Sequence, residues 1–225
     1  MNIGLIGKGY WGTILLSKLE KIGTVKFVCG SKDDYKTKLD LVDWVFIATP
    51  NDTHFDIVKY CIKSNKNVFC EKPLTPTYKQ SLKLFKLADK YKVKLYVSDV
   101  FNWRDEAIDL KPLLSPKNNL EVIWRRKGYE VFDLLYHDLY LLYPLLAPKI
   151  KINWPKINNI TFDYSGSDKT HTIGYIDFTT TKKSNDALLE MLFCVLNNKV
   201  DYKYNKLITL FCNKTIDDIS NNTNI

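Results

Sequence analysis

Three glycines stand at positions 7, 9 and 12 of Gly7-Lys8-Gly9-Tyr10-Trp11-Gly12, directly after a short apolar run, Asn2 to Ile6, and before a helical pattern from Thr13 to Lys21. In a turn between a strand and a helix, this spacing binds anions. The first glycine permits the tight turn, the second lets a phosphate approach the backbone, and the third lets helix and strand pack closely, while the helix N-terminus attracts negative charge. Such a cradle suits the pyrophosphate of a dinucleotide; the plain alternative is a glycine-rich turn that holds nothing.

Two further groupings carry chemistry. Lys72 follows an apolar run and precedes Pro73, which restricts it to an extended backbone and would help aim its ammonium beyond the strand end. Asp133 and His137 are four residues apart in a helical pattern and would share a face. The carboxylate could then orient the imidazole and raise its pKa toward neutrality, giving a general base. The same stretch carries Phe132, Tyr136, Leu139 and Tyr143, so a core helix with a polar stripe is the alternative.

These groups need strands and helices to position them, and the first hundred residues supply the pattern. Strand-like runs at Asn2 to Ile6, Val25 to Cys29, Trp44 to Ala48, Val68 to Cys70 and Lys94 to Val97 alternate with amphipathic helical stretches. This alternation is the mark of βαβ units and a parallel sheet. The gap between Cys29 and Trp44 is too short for a crossover helix, a strand and a second helix, so the third strand of the doubly wound order 3-2-1-4-5-6 is expected to be trimmed. That strand lies at the sheet edge, and its loss leaves the cofactor crevice intact.

The second strand ends Cys29-Gly30-Ser31-Lys32, with no acid at the tip to hold the ribose hydroxyls of NAD. Ser31 and Lys32 stand where a ribose 2′-phosphate would sit, which favours NADP on charge; Asp33 and Asp34 follow closely and keep NAD open. A solvated turn is the alternative.

After Phe101 the pattern changes to β-rich segments, Leu120 to Arg126, Ile157 to Tyr164 and His171 to Phe178, mixed with helical stretches near 131–146, 185–197 and 205–219. The expected architecture is α/β: an N-terminal Rossmann doubly wound parallel sheet over 1–102, then a smaller α+β domain over 103–225 for substrate binding and oligomerisation.

Composition narrows the classes. The chain has 225 residues, 45% hydrophobic and 26% charged, with no apolar run long enough to span a bilayer. The N-terminus lacks the apolar segment of a secretory signal, so a cytoplasmic location is expected. Five cysteines without a CxxC pair read as reduced core residues, and no metal site is expected. The net charge of +8 comes from scattered lysines, with only Arg104, Arg125 and Arg126 as guanidinium groups, which argues against nucleic acid and is compatible with an anionic cofactor or substrate.

At the end of the third run the sequence reads Ala48-Thr49-Pro50-Asn51-Asp52-Thr53-His54, and after the fourth it reads Glu71-Lys72-Pro73-Leu74. With the opening turn, these segments resemble the Gfo/Idh/MocA family of sugar-type oxidoreductases, closely over residues 1 to 100 and sparsely afterwards. The resemblance implies that Thr49, Pro50, Asn51 and His54 border the cofactor, with Glu71 and Pro73 placing Lys72, in addition to the turn residues Gly7, Gly9, Tyr10, Trp11 and Gly12 and the tip residues Ser31 and Lys32 already expected there. It implies that Lys72 lies beside the nicotinamide, and that Asp133 and His137 form the family's DxxxH helix. Many members have glycine at the position of Leu135 and aspartate at that of Tyr140, and a larger second domain, so substrate specificity does not transfer. Asn102 and Arg104, just after the last Rossmann strand, could reach substrate or form a hinge.

The expected function is therefore hydride transfer between NADP, or NAD, and a hydroxyl or carbonyl carbon of a sugar or sugar nucleotide. Lys72, Asp133 and His137 would be catalytic, with Asn102, Arg104 and His137 at the substrate. Two rivals are a reductase of C=C or C=N bonds on the same scaffold and a non-catalytic sensor that binds NADP. The aromatic-rich strands around Trp124 and Tyr175 would allow a homodimer through the C-terminal sheet.

Overall fold

The computed structural model describes residues 1–104, 121–125, 136–137, 139–140, 143, 159–163, 172–173, 176–177 and 186–223. They belong to two units, Met1–Asp99 with Leu188–Ile225, and Val100–Ala187.

The first unit is built on five strands, β1 (Asn2–Ile6), β2 (Thr24–Cys29), β3 (Trp44–Ile47), β4 (Asn67–Cys70) and β5 (Leu95–Val97). They form one sheet in the order β2-β1-β3-β4-β5, every pair parallel. This is the doubly wound order with its third strand removed, as the spacing predicts. A 3-10 turn, Lys36–Leu41, occupies the shortened connection and buries Leu39.

The crossover helices are α1 (Tyr10–Ile22), α2 (Asn51–Lys63) and α3 (Tyr78–Tyr91). Each lays an apolar stripe on the sheet: Leu15 and Leu19 from α1, Val58, Cys61 and Ile62 from α2, and Leu84, Phe85 and Ala88 from α3. The middle strands are apolar on both faces, since helices cover both sides of a parallel sheet. Phe46, Phe69 and Tyr96 are register partners on β3, β4 and β5, and their rings stack at 5.0 and 6.1 Å. This aromatic row ties the strands that carry the candidate site.

Two C-terminal helices, α4 (Ala187–Leu196) and α5 (Tyr202–Thr223), complete this unit. The expected second domain over 103–225 therefore differs from the observed division, because 188–225 packs with the Rossmann sheet. The physical reason lies at the edge of β5. The Val97 N–H donates to Asn205 Oδ1 at 2.9 Å, and Asn205 Nδ2 donates to the Val97 carbonyl at 2.9 Å. The side-chain amide thus occupies the place of a neighbouring strand and satisfies an edge that would otherwise be open. Farther along α5, Asn213 Nδ2 donates to the Thr75 carbonyl at 2.9 Å, and the Tyr78 N–H donates to Asp217 at 2.7 Å, holding the start of α3.

The second unit contains β6 (Glu121–Arg125), β7 (Asn159–Asp163), β8 (Thr172–Ile173) and β9 (Ile176–Asp177), in the order β7-β6-β8-β9. The run from His171 to Phe178 is not one strand, because β8 and β9 pair with each other as an antiparallel hairpin. Tyr136, His137, Leu139, Tyr140 and Tyr143 are helical, and all but His137 are buried. Asp133, Leu135, Arg126 and Tyr175 lie outside the described residues. No helix among the described residues is long and apolar enough to cross a membrane.

Candidate active site

The carboxyl ends of the strands are locked side by side by hydrogen bonds that continue the ladder. Gly7 N–H donates to the Cys29 carbonyl at 2.8 Å, Ala48 N–H to Ile6 at 2.8 Å, Glu71 N–H to Ile47 at 2.9 Å and Ser98 N–H to Cys70 at 2.9 Å. These bonds place the Gly30 tip, the glycine turn, the Thr49 segment, Glu71-Lys72-Pro73 and Ser98 in one row. Ligands of doubly wound sheets bind beyond such an edge.

Within the turn, Gly7 has φ +119°, in the left-handed region, and a Cβ there would strike the Ala48 carbonyl. A Cβ on Gly12 would strike the Gly7 carbonyl, so helix and strand meet too closely for a side chain. Around Gly9 the situation reverses, since a Cβ would meet nothing within 4 Å. Open space thus lies where a pyrophosphate would approach the backbone. α1 begins at Tyr10, earlier than the expected Thr13, and Gly9 offers no side-chain cap. The first-turn N–H groups of α1 have no intrahelical acceptor by geometry and suit an anion. The residues present fit a dinucleotide phosphate. Tyr10 and Trp11 are 79% and 50% exposed on the same turn, their rings edge to face at 6.0 Å.

The strand-two tip departs from expectation. An acid is present there, because Asp33 folds back so that its Oδ2 accepts from the Gly30 N–H at 2.8 Å and from Lys8 Nζ at 2.8 Å. Those bonds hold the Asp33 carboxyl below its usual range, the Gly30 amide being the larger influence. Ser31 and Lys32 are exposed on the turn that Asp33 closes. The signal was in the sequence, as an aspartate three residues after a strand-end glycine is a turn-closing residue.

After β3, Pro50 caps α2 and Asn51 opens it, both exposed, while Thr53 Oγ1 lies 2.7 Å from Thr49 Oγ1. His54 is fully buried, so it does not present a face to solvent. Its Nε2 lies 2.8 Å from the Thr49 carbonyl oxygen and its Nδ1 2.8 Å from the Pro73 carbonyl oxygen. Burial pushes its pKa below the usual histidine range, against the opposing pull of the two carbonyls. His54 thus joins the Thr49 segment to the Lys72 segment from behind.

Glu71 and Lys72 are half-buried, and the Lys72–Pro73 peptide is cis. Burial raises the Glu71 carboxyl to about 7, with the Ser98 hydrogen bond and the Lys72 charge opposing. Ser98 and Asp99, just after β5, are buried, and the Tyr96 hydroxyl donates to Asp99 at 2.7 Å. Neither Ser98 nor Asp99 belongs to a sequence motif that marks a site.

In the second unit, the Phe101 ring lies 4.2 Å from the His137 ring, and the Arg104 guanidinium sits 4.2 Å from the same Phe101 ring. Asn102 is half-buried between them in sequence. His137 and Arg104 therefore share one aromatic neighbour. Among the described residues no cluster of His, Cys, Asp and Glu could hold a metal ion.

Residues 17–99 match the family model described as an oxidoreductase family with an NAD-binding Rossmann fold. An uncharacterized oxidoreductase of Escherichia coli, YdgJ, is 31% identical over 151 residues, 59% of this chain and 44% of that protein. The scyllo-inositol 2-dehydrogenase (NADP+) IolW of Bacillus subtilis is 25% identical over 51% of this chain and 37% of its own length. The matches thus span less than half of these relatives. Among solved structures, the WlbA dehydrogenase of Thermus thermophilus in complex with NAD and UDP-GlcNAcA aligns with a TM-score of 0.72 at 14% identity, over 95% of this chain and 94% of that one. The UDP-N-acetylglucosamine 3-dehydrogenase of Acidithiobacillus ferrooxidans aligns with a TM-score of 0.70 at 16% identity, over 94% and 95%. At such identities the likeness establishes the fold. The sheet order, the glycine turn and the matched span together make residues 17–99 similar to the NAD-binding Rossmann domain of the Gfo/Idh/MocA oxidoreductases.

Proposed function

We propose that this chain is an NAD(P)-dependent oxidoreductase that moves a hydride between nicotinamide and a hydroxyl or carbonyl carbon of a sugar or sugar nucleotide. The observation that carries the reading is the row at the carboxyl edge, where the glycine cradle stands beside the Thr49 and Lys72 segments on adjacent strands. When bound, the nicotinamide supplies the hydride chemistry. Thr49, Pro50 and Asn51 would border the cofactor, and Lys72 would donate to the reacting oxygen and steady its developing negative charge. His137 takes the hydroxyl proton, oriented by Asp133 four residues earlier, and in reverse returns it to the carbonyl oxygen. Asn102 and Arg104 hold the substrate, with Phe101 as the shared packing surface for Arg104 and His137.

The sugar-type substrate is supported by the relatives, which include an inositol dehydrogenase and a dehydrogenase bound to a UDP-sugar. The test is nicotinamide absorbance across a panel of sugar nucleotides, inositols and free sugars, with NAD and NADP in parallel. Turnover with a member of the panel is the expected result. Tight dinucleotide binding with no turnover on any substrate would favour a sensor.

A further inference from the structure

Helix α5 carries buried polar side chains at four-residue spacing, Asn205, Thr209 and Asn213, which places them on one face of the helix. Asn205 serves the edge of β5; Asn213 serves the turn that follows Lys72. Its Nδ2 donates to the Thr75 carbonyl at 2.9 Å, and its Oδ1 accepts from the Ser81 hydroxyl at 3.1 Å. Ser81 Oγ in turn lies 2.7 Å from Thr75 Oγ1, so Asn213, Ser81 and Thr75 close a ring. All three residues are buried. Such a ring is stiff, because opening one of its bonds strands polar atoms away from water. It grips the chain three residues after Lys72. Between the two, Leu74 is fully buried and the Pro73 carbonyl oxygen lies 2.8 Å from His54 Nδ1. The segment that carries Lys72 is thus anchored twice beyond β4, from α2 through Pro73 and from α5 through Thr75.

We propose that Asn213, Ser81 and Thr75 are positioning residues for Lys72, the ring fixing the turn after β4 so that the lysine meets the reacting oxygen. The inference rests on the oxidoreductase reading and adds to it a role for the C-terminal helix. Ile208 and Cys212 on the same helix are also buried, and apolar contacts of that kind are enough to dock it. Hydrogen bonds to the turn add direction, which apolar contacts lack. That matters at a catalytic group, where a misplacement of about 1 Å costs on the order of 10²-fold in rate.

The experiment measures kcat and KM with the best substrate of the panel, and NADH dissociation by nicotinamide fluorescence, for Asn213→Leu and Thr75→Val, each alone and combined with Lys72→Ala. Thr75→Val removes one hydroxyl and keeps the side-chain shape, so it serves where Asn213→Leu does not fold. In both, kcat should fall about tenfold or more while KM and NADH affinity stay within a few fold. Thr75→Ser, which keeps the hydroxyl, should turn over near the wild-type rate. Ile208→Ala, an apolar truncation in the same helix, should lower the melting temperature without that fall in kcat. In the Lys72→Ala background the ring substitutions should lower kcat no further, because the group they position is gone. An unchanged kcat in the folded ring variants, an equal fall in Ile208→Ala, or the same fold-loss with and without Lys72 would overturn this inference alone. No turnover on any substrate, or a wild-type rate in Lys72→Ala itself, would overturn the reading of Lys72 and this inference with it.

Discussion

The imidazole of His54 lies 2.8 Å from the Pro73 carbonyl oxygen through Nδ1, and its Nε2 reaches the Thr49 carbonyl at the same distance. Carbonyl oxygens only accept, so neutral imidazole satisfies one of them and imidazolium both. Because the folded pKa lies below the ordinary histidine value of 6.5, the unfolded chain takes up the proton first as pH falls. His54 therefore contributes stability that is present above about pH 6.5 and lost as pH falls toward the lowered folded value. Urea midpoints at pH 5 and 7.5 should differ in that direction, and His54→Gln should reduce the difference. An equal pH dependence in the variant would remove His54 from the account.

Glu71 predicts the opposite slope. Its carboxyl rises from 4.5 to about 7 on folding, chiefly through burial, so the folded chain holds the proton longer. Its contribution is full below pH 4.5 and is lost as pH rises through 7, a change of up to about 3 kcal/mol. Glu71→Gln should flatten the fall in stability between pH 5 and 8. If the fall is the same in both proteins, the Glu71 carboxyl titrates at an ordinary pH.

The three glycines of the turn should respond differently to alanine. Gly7→Ala and Gly12→Ala place a methyl against backbone carbonyls and should lower the melting temperature strongly, by more than about 2 kcal/mol of stability. Gly9→Ala meets open space, so its melting should stay near wild type while NADH affinity falls roughly tenfold or more. Calorimetric melting paired with a fluorescence titration checks both halves. Normal NADH affinity in Gly9→Ala would place the pyrophosphate elsewhere.

Asn205 should matter far beyond its size. Asn205→Leu leaves the Val97 N–H and carbonyl without a partner at the edge of β5, at a cost of about 2 to 4 kcal/mol. Hydrogen exchange at the Val97 amide should accelerate more than at the central Phe46 amide. Equal protection of both amides would show that the amide is not the edge's partner.

The sheet was legible because each strand is an apolar run closed by a turn signal, and Asn2 to Ile6 is found where the pattern puts it. The trimmed third strand was legible from chain length alone, since too few residues separate Cys29 from Trp44. The return of α5 to the first unit was not, because Asn205 acts through one side-chain amide that has no periodic signature. The same limit applies at the β2 tip. Ser31 and Lys32 stand at the tip by their place in sequence, whereas Asp33 reaches it by folding back over three residues. His54 was legible as part of a segment, and its burial could be learned only from the packing of α2 against the Pro73 turn.

The central claim is that Lys72 acts on the reacting oxygen of a substrate presented to a bound nicotinamide. The direct measurement is steady-state nicotinamide absorbance with the best substrate of the panel, comparing wild type with Lys72→Ala and titrating NADH binding to each. Turnover should fall by about 10² or more in Lys72→Ala while NADH affinity stays within a few fold. Turnover near the wild-type rate in that variant would contradict it.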